Sequence, residues 1–137
     1  YLDLSYEKRK VSKKKIIEME IKKTGKLFSF CCVAPAIIKK KDNQEIKFFE
    51  NLGSKIGLLF QIADDLIDFH GNSKSAGKQT GKDQKKGKAT LISLMGYTNA
   101  VKYCDRIIID TNKTLKKYGS KSKNIKDTLE YILKRDR

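Results

Sequence analysis

Residues 45–69 decide what kind of fold is open to this chain. Ile46, Phe49, Leu52, Ile56, Leu59, Phe60, Ala63, Leu66 and Ile67 recur at three-to-four spacing, which gathers apolar side chains on one stripe of an α-helix. Such a stripe has to be covered by other elements, and the rest of the chain offers only helical patterns. Ser12 reads as the N-cap of an amphipathic helix over 13–21. Residues 26–38 are apolar on nearly every face, which predicts a buried helix. Pro35 inside it should kink it or mark its last turn. Residues 39–44 read as a solvated connection. Helical patterns return over 90–95, 98–118 and 124–135, the last with Ile125, Leu129, Ile132 and Leu133 on one face. Gly119 is a natural C-cap. Gly25 should mark a kink or a close approach, and Gly53 and Gly57, four apart, permit a close helix crossing. Strand-like alternation and internal repeats are both missing. The expected fold class is all-α.

The formal charge of +15 comes from 31 basic and 16 acidic residues in 137, a length suited to one domain. A nucleic-acid-binding helical module is the first reading of such a charge. Arginine, however, supplies only four of the 31 basic residues, Arg9, Arg106, Arg135 and Arg137. Dedicated binders lean on its bidentate geometry, and here lysine is spread along the whole chain. The expectation is a solvated lysine-rich surface without a nucleic-acid partner, whose positive field would still recruit phosphate-bearing anions. Hydrophobic content is 39%, below the roughly 45–50% of average domains, which fits thin helices or an incomplete domain. Cys31, Cys32 and Cys104 make no C-x-x-C pair, so reduced, buried cysteines are expected rather than a zinc site or a disulfide framework. The apolar stretch 27–38 is too short to cross a bilayer, and no signal peptide is visible. No stable membrane insertion and a cytoplasmic location are expected. The first residue is Tyr1, so the numbering is expected to begin inside a longer polypeptide.

The chemistry concentrates in Phe60-Gln61-Ile62-Ala63-Asp64-Asp65-Leu66-Ile67-Asp68. Asp64 and Asp68 lie one turn apart, Asp65 lies one turn from Asp68 on the neighbouring edge, and Gln61 precedes both Asp64 and Asp65 by a turn. Clustered carboxylates repel one another, and a hard divalent cation relieves that repulsion. Mg2+ is satisfied by one or two carboxylates, waters and substrate phosphate oxygens, so the cluster reads as a metal–diphosphate site. The bland reading is a solvated acidic turn, which the apolar flanks Phe60 and Leu66-Ile67 argue against.

Residues 71–88 follow directly, with Gly71, Gly77, Gly81, Gly87 and many lysines but almost nothing apolar. They predict a long Gly/Lys-rich active-site loop, and His70, just before Gly71, reads as a loop residue rather than a ligand or base. Glycines let backbone approach an anion, and Lys78, Lys82 and Lys88 supply point charges for phosphate. The segment is not a Walker A loop, because five residues separate Gly81 from Gly87 and Ala89 follows Lys88. Lys23-Thr24 is a further candidate phosphate pair.

Taken in order, Leu2-Asp3-Leu4, Lys23-Thr24-Gly25-Lys26-Leu27-Phe28, Gly57-Leu58-Leu59-Phe60-Gln61-Ile62-Ala63-Asp64-Asp65-Leu66-Ile67-Asp68, Gly77-Lys78, Gly81-Lys82-Asp83, Gly87-Lys88-Ala89-Thr90 and Tyr131-Ile132-Leu133-Lys134-Arg135 resemble the polyprenyl diphosphate synthases, particularly bacterial-type farnesyl and geranylgeranyl diphosphate synthases. The resemblance covers essentially all of residues 1–137 and implies the C-terminal portion of an antiparallel helical bundle of the isoprenoid synthase type, usually a homodimer. It implies a prenyltransferase that joins isopentenyl diphosphate head-to-tail to an allylic diphosphate with Mg2+ as cofactor. Asp64 would be the principal metal ligand, supported by Asp65 and Asp68. Lys23 and Lys78 would hold the allylic diphosphate, Thr24 and Gln61 would line that pocket and steady the cation, Phe60 would face isopentenyl diphosphate, and Lys88 would be a further contact.

Two departures qualify the resemblance. The family's first aspartate-rich motif lies upstream of these elements, and this chain has no second Asp-Asp pair. The 137 residues alone are therefore expected to be inactive, and, as a half bundle exposing the apolar faces of the 26–38 and 45–69 helices, to aggregate or need their missing half. Pro35 also stands where the family usually has small, helix-compatible residues. The alternative within the same fold is a non-catalytic regulatory subunit, against which stands the retention of both acidic and lysine elements.

Overall fold

A computed structural model describes residues 11–75 and 90–134, with side chains over 11–69 and 90–134. The described residues form α1 (Lys13–Glu20), α2 (Lys26–Ile38), α3 (Asn43–Ser75), α4 (Leu91–Met95), α5 (Tyr97–Leu115) and α6 (Lys123–Lys134). A π-helical turn, Ile21–Gly25, joins α1 to α2, and a 3-10 stretch, Lys116–Ser122, joins α5 to α6. There is no strand among the described residues, and the fold is all-α as expected.

Local chemistry sets most boundaries. Ser12 caps α1 by accepting from the Lys15 backbone N–H. Thr90 and Ser93 cap α4 reciprocally, satisfying two backbone donors that a helix start leaves open. Asp42 Oδ1 accepts from the Glu45 backbone N–H at 2.8 Å, so α3 begins within the stretch expected to be a solvated connection. The α2 terminus closes with Lys40 N–H on the Ile37 carbonyl and Lys41 N–H on the Ala36 carbonyl, the paired bonds of a Schellman end. Lys40 takes the left-handed position with φ 50°. Pro35 stands in the last turn of α2. Gly119, with φ 55°, turns the chain between α5 and α6.

α3 spans 33 residues, roughly 50 Å at about 1.5 Å per residue, and the other helices pack along it. It runs past the expected end at Phe69, taking in His70 and the first five residues of the segment read as a loop. A glycine inside a helix, here Gly71, costs only about 1 kcal/mol, which a long, well-packed helix absorbs. Residues 76–88 of that segment lie outside the described residues.

α2 packs antiparallel on α3, since Ser29 meets Glu50, Gly25 meets Gly57 and Thr24 meets Gln61. α5 is likewise antiparallel to α3: Tyr97 stacks on Phe69, while Tyr118, just beyond α5, meets Phe48, Phe49 and Glu45 near the other end. The core holds Leu52, Ile56, Leu59, Ile62 and Leu66 of α3, with Ile16, Leu91, Ala100, Cys104, Leu115, Leu129 and Leu133 from the other elements.

Two expectations fail. α2 buries only Ser29 and Ala36, because α3 covers one side of it; Leu27, Phe30, Ile37 and Ile38 are exposed. Of the cysteines only Cys104 is buried, while Cys31 is exposed on that uncovered side of α2.

Candidate active site

The site begins at a helix crossing made close by glycine on both sides. A Cβ on Gly57 would fall 2.6 Å from Gly25 Cα, and one on Gly53 would fall 2.5 Å from Ser29 Cα. The π turn is therefore seated directly on α3. Its wide geometry is marked by Lys26 N–H, which donates to the Ile21 carbonyl five residues back. Turns of this kind recur at functional sites because the extra residue re-aims its neighbours. Here the neighbours are Lys23 and Thr24.

Thr24 adjoins Gly25, and Gln61 stands one turn beyond Gly57, so the crossing brings the two together. Thr24 Oγ1 donates to Gln61 Oε1 at 2.9 Å. The amide nitrogen is then directed onward, and Gln61 Nε2 donates to Asp65 Oδ1 in a long contact of 3.4 Å. Gln61 is only 8% exposed, so these partners answer the need of a buried amide for hydrogen bonds. The Phe28 and Phe60 rings pack beside this chain of contacts at 5.4 Å between centroids.

Electrostatics ties in the remaining groups. Burial pushes the Asp65 carboxyl up to about 6, the hydrogen bond from Gln61 and the Lys23 ammonium pull it down, and the Asp68 and Asp64 carboxylates push it further up. Asp64 is half-buried and Asp68 exposed. An acidic face that climbs from interior to solvent beside a lysine can pair with a cation from the solvent side.

Lys23, Thr24, Phe60, Gln61, Asp64, Asp65 and Asp68 thus fall on the π turn and one segment of α3. Lys78 and Lys88 lie outside the described residues. Among the described residues no three His, Cys, Asp or Glu side chains stand close enough to enclose a metal ion by themselves. The donor set still fits Mg2+, which takes one or two carboxylates and keeps several waters. Sequence reasoning passed over Glu20, which is 2% exposed at the start of the π turn. Its only signal was an acid on the same helical face as Ile16.

A family model described as polyprenyl synthetase matches residues 1–132. The chain is 29% identical to a farnesyl diphosphate synthase of Micrococcus luteus over 136 residues, 99% of this chain and 47% of that protein. It is 37% identical to a geranylgeranyl pyrophosphate synthase of Geoglobus acetivorans over 102 residues, 74% of this chain and 32% of that protein. A crystal structure of an isoprenoid synthase family member from Thermotoga neapolitana superposes with a TM-score of 0.67 at 28% identity, over 96% of this chain and 42% of that one. The chain spans about half, or less, of the length of these relatives.

Proposed function

Because the chain belongs to the polyprenyl synthetase family, we propose that it works in the head-to-tail condensation of isopentenyl diphosphate with an allylic diphosphate, dimethylallyl or geranyl, to give a short-chain polyprenyl diphosphate. The observation that carries this reading is the Thr24–Gln61–Asp65 chain of contacts across the Gly25–Gly57 crossing. It joins the Lys-Thr pair to the acidic face, the two groups a diphosphate–metal site has to hold together.

In this reading α3 supplies the second aspartate-rich motif. Asp64 would be the principal residue to hold Mg2+, with Asp65 and Asp68 in support. When bound, Mg2+ supplies positive charge that stabilises the leaving diphosphate. Lys23 adds a point charge beside the carboxylates and holds the allylic diphosphate together with Lys78; Lys88 is a further contact. Gln61 fixes the Asp65 carboxylate and is itself fixed by Thr24, and the two line the allylic pocket and steady the cation left when the diphosphate departs. Phe60 faces isopentenyl diphosphate. The departing diphosphate takes the proton, so the site needs no side-chain base and works by positioning and electrostatics. The working form is a homodimer in the cytoplasm.

The test is Asp64→Ala in the polypeptide as its source makes it. Mg2+-dependent incorporation of labelled isopentenyl diphosphate should fall by orders of magnitude with the helical circular dichroism unchanged. Near-normal turnover in a well-folded variant would sink the assignment, and absence of turnover in both proteins would favour the non-catalytic subunit.

A further inference from the structure

A shallow cavity of about 210 Å³ opens where α1, α4 and α5 meet, lined by Lys13, Met95, Asn99, Lys102, Tyr103 and Arg106. It shares no residue with the carboxylate face on α3. We propose that it is a second anion site that takes a diphosphate group.

Lys102 and Arg106 are four apart on α5, so they stand on one edge of the helix, where like charges at this spacing disfavour each other. Lys13 adds a third positive charge from α1, with its ammonium 4.1 Å from the centre of the Tyr103 ring. That cation–π contact sets the ammonium against the cavity wall, although Lys13, like Lys102 and Arg106, is otherwise exposed. No carboxylate lines the cavity. Among the described residues the ion pairs engage Lys26, Lys41, Lys113, Lys123 and Lys134 rather than these three cations. Three cations line one cavity whose lining includes no carboxylate, in a chain already at +15, and an anion relieves that arrangement.

The residue types narrow the class of anion. Arg106, one of the four arginines of the chain, lines the cavity, and its planar fork suits two phosphate oxygens at once. Asn99 is held in place by donating from Nδ2 to the Met95 carbonyl at 2.9 Å. A diphosphate spreads several negative charges over two phosphorus centres and matches three cations better than a monoanion does. The ligand is then either free diphosphate or the head of a prenyl ester, whose tail would meet Met95 and Tyr103.

Because the cavity and the carboxylate face have no residue in common, binding here can be separated from the reading above. Calorimetric titration of the full chain is run in metal-free buffer at fixed ionic strength, with inorganic diphosphate in one arm and dimethylallyl diphosphate in the other. Lys102→Gln with Arg106→Gln, and separately Lys13→Gln, should weaken binding at least tenfold. Weakening in both arms supports the site with free diphosphate as ligand, and weakening in the prenyl arm alone supports it with the ester. The proposal is overturned if neither arm responds. It is equally overturned if the exposed pair Lys47→Gln with Lys55→Gln weakens binding as much, since net charge would then be the whole effect.

Discussion

Burial lifts the Asp65 carboxyl to about 6, against roughly 3.9 for an aspartate in an unfolded chain. Between those values the folded protein holds a proton that the unfolded chain has released. Its contribution to stability is therefore full below about pH 4 and is lost as pH rises through about 6. The loss is on the order of 1–2 kcal/mol for a group that keeps some solvent contact. Denaturant titrations at pH 4.5 and 7 should show this fall in the wild type and a smaller one in Asp65→Asn. A divalent ion competes with that proton, so Mg2+ should raise the melting temperature more at pH 7.5 than at pH 5. An equal rise at both would place Asp65 outside the ion's surroundings. Thr24→Val removes the donor that orients Gln61, and losing a partner that orients a ligand in this way costs about 10–100-fold in metal affinity or activity. The acidic face was legible in the sequence because helical spacing turns i, i+3 and i+4 into neighbours. The Thr24–Gln61 bond was not, since it joins residues 37 apart through a turn whose extra residue no periodicity announces.

Glycines show what a pattern of single residues reveals about helix packing. Gly53 and Gly57 were readable as a close crossing because they recur at one-turn spacing, and Gly25 because it interrupts an otherwise helical run. What the sequence did not contain was the partner of each, which the fold supplies as Ser29 for Gly53 and Gly25 for Gly57. The crossing makes a prediction of definite sign. In an open helix Gly→Ala stabilises by about 1 kcal/mol. At Gly57 or Gly53 the new methyl meets backbone, and overpacking of this kind costs about 1–3 kcal/mol, so each substitution should lower the denaturation midpoint. A rise at either position would show that the helices do not cross this closely. The α2 terminus gives the opposite case. Lys40 sits at φ 50°, where a side chain is strained and glycine is not, so Lys40→Gly should stabilise by about 0.5–1 kcal/mol in the same measurement. No residue type marked that position, which is why the connection read as merely solvated. The early start of α3 escaped for a related reason, since Asp42 as a cap is told from any other surface acid only by the bond it makes.

Burial is a property of neighbours, and composition counts only one of the two surfaces involved. Residues 26–38 read as buried because they are apolar on nearly every face, yet only one side of α2 meets α3. Leu27, Phe30, Ile37 and Ile38 are left 67%, 69%, 56% and 76% exposed. With Cys31 and Ala34 they fall at positions that share one helical stripe, so the exposed groups form a patch rather than scattered points. A patch of this kind drives association in water, and the charge of +15 opposes it by repulsion between copies. The two effects respond differently to salt. Apolar attraction is little affected, whereas repulsion is screened over about 8 Å at 0.15 M ionic strength. The 137-residue chain should therefore be closest to monomeric at low salt and should self-associate, with rising binding of an apolar dye, as sodium chloride is added. Light scattering and dye fluorescence across a salt series read this directly. Leu27→Lys with Ile37→Lys should suppress both signals without loss of helical circular dichroism, because neither side chain contributes to the core. Association that weakens as salt rises would instead point to ionic contacts between copies. Association that persists in the double variant would assign it to other exposed groups, Phe69, Leu94, Ile109 or Tyr131, and leave the α2 stripe without a role in solution.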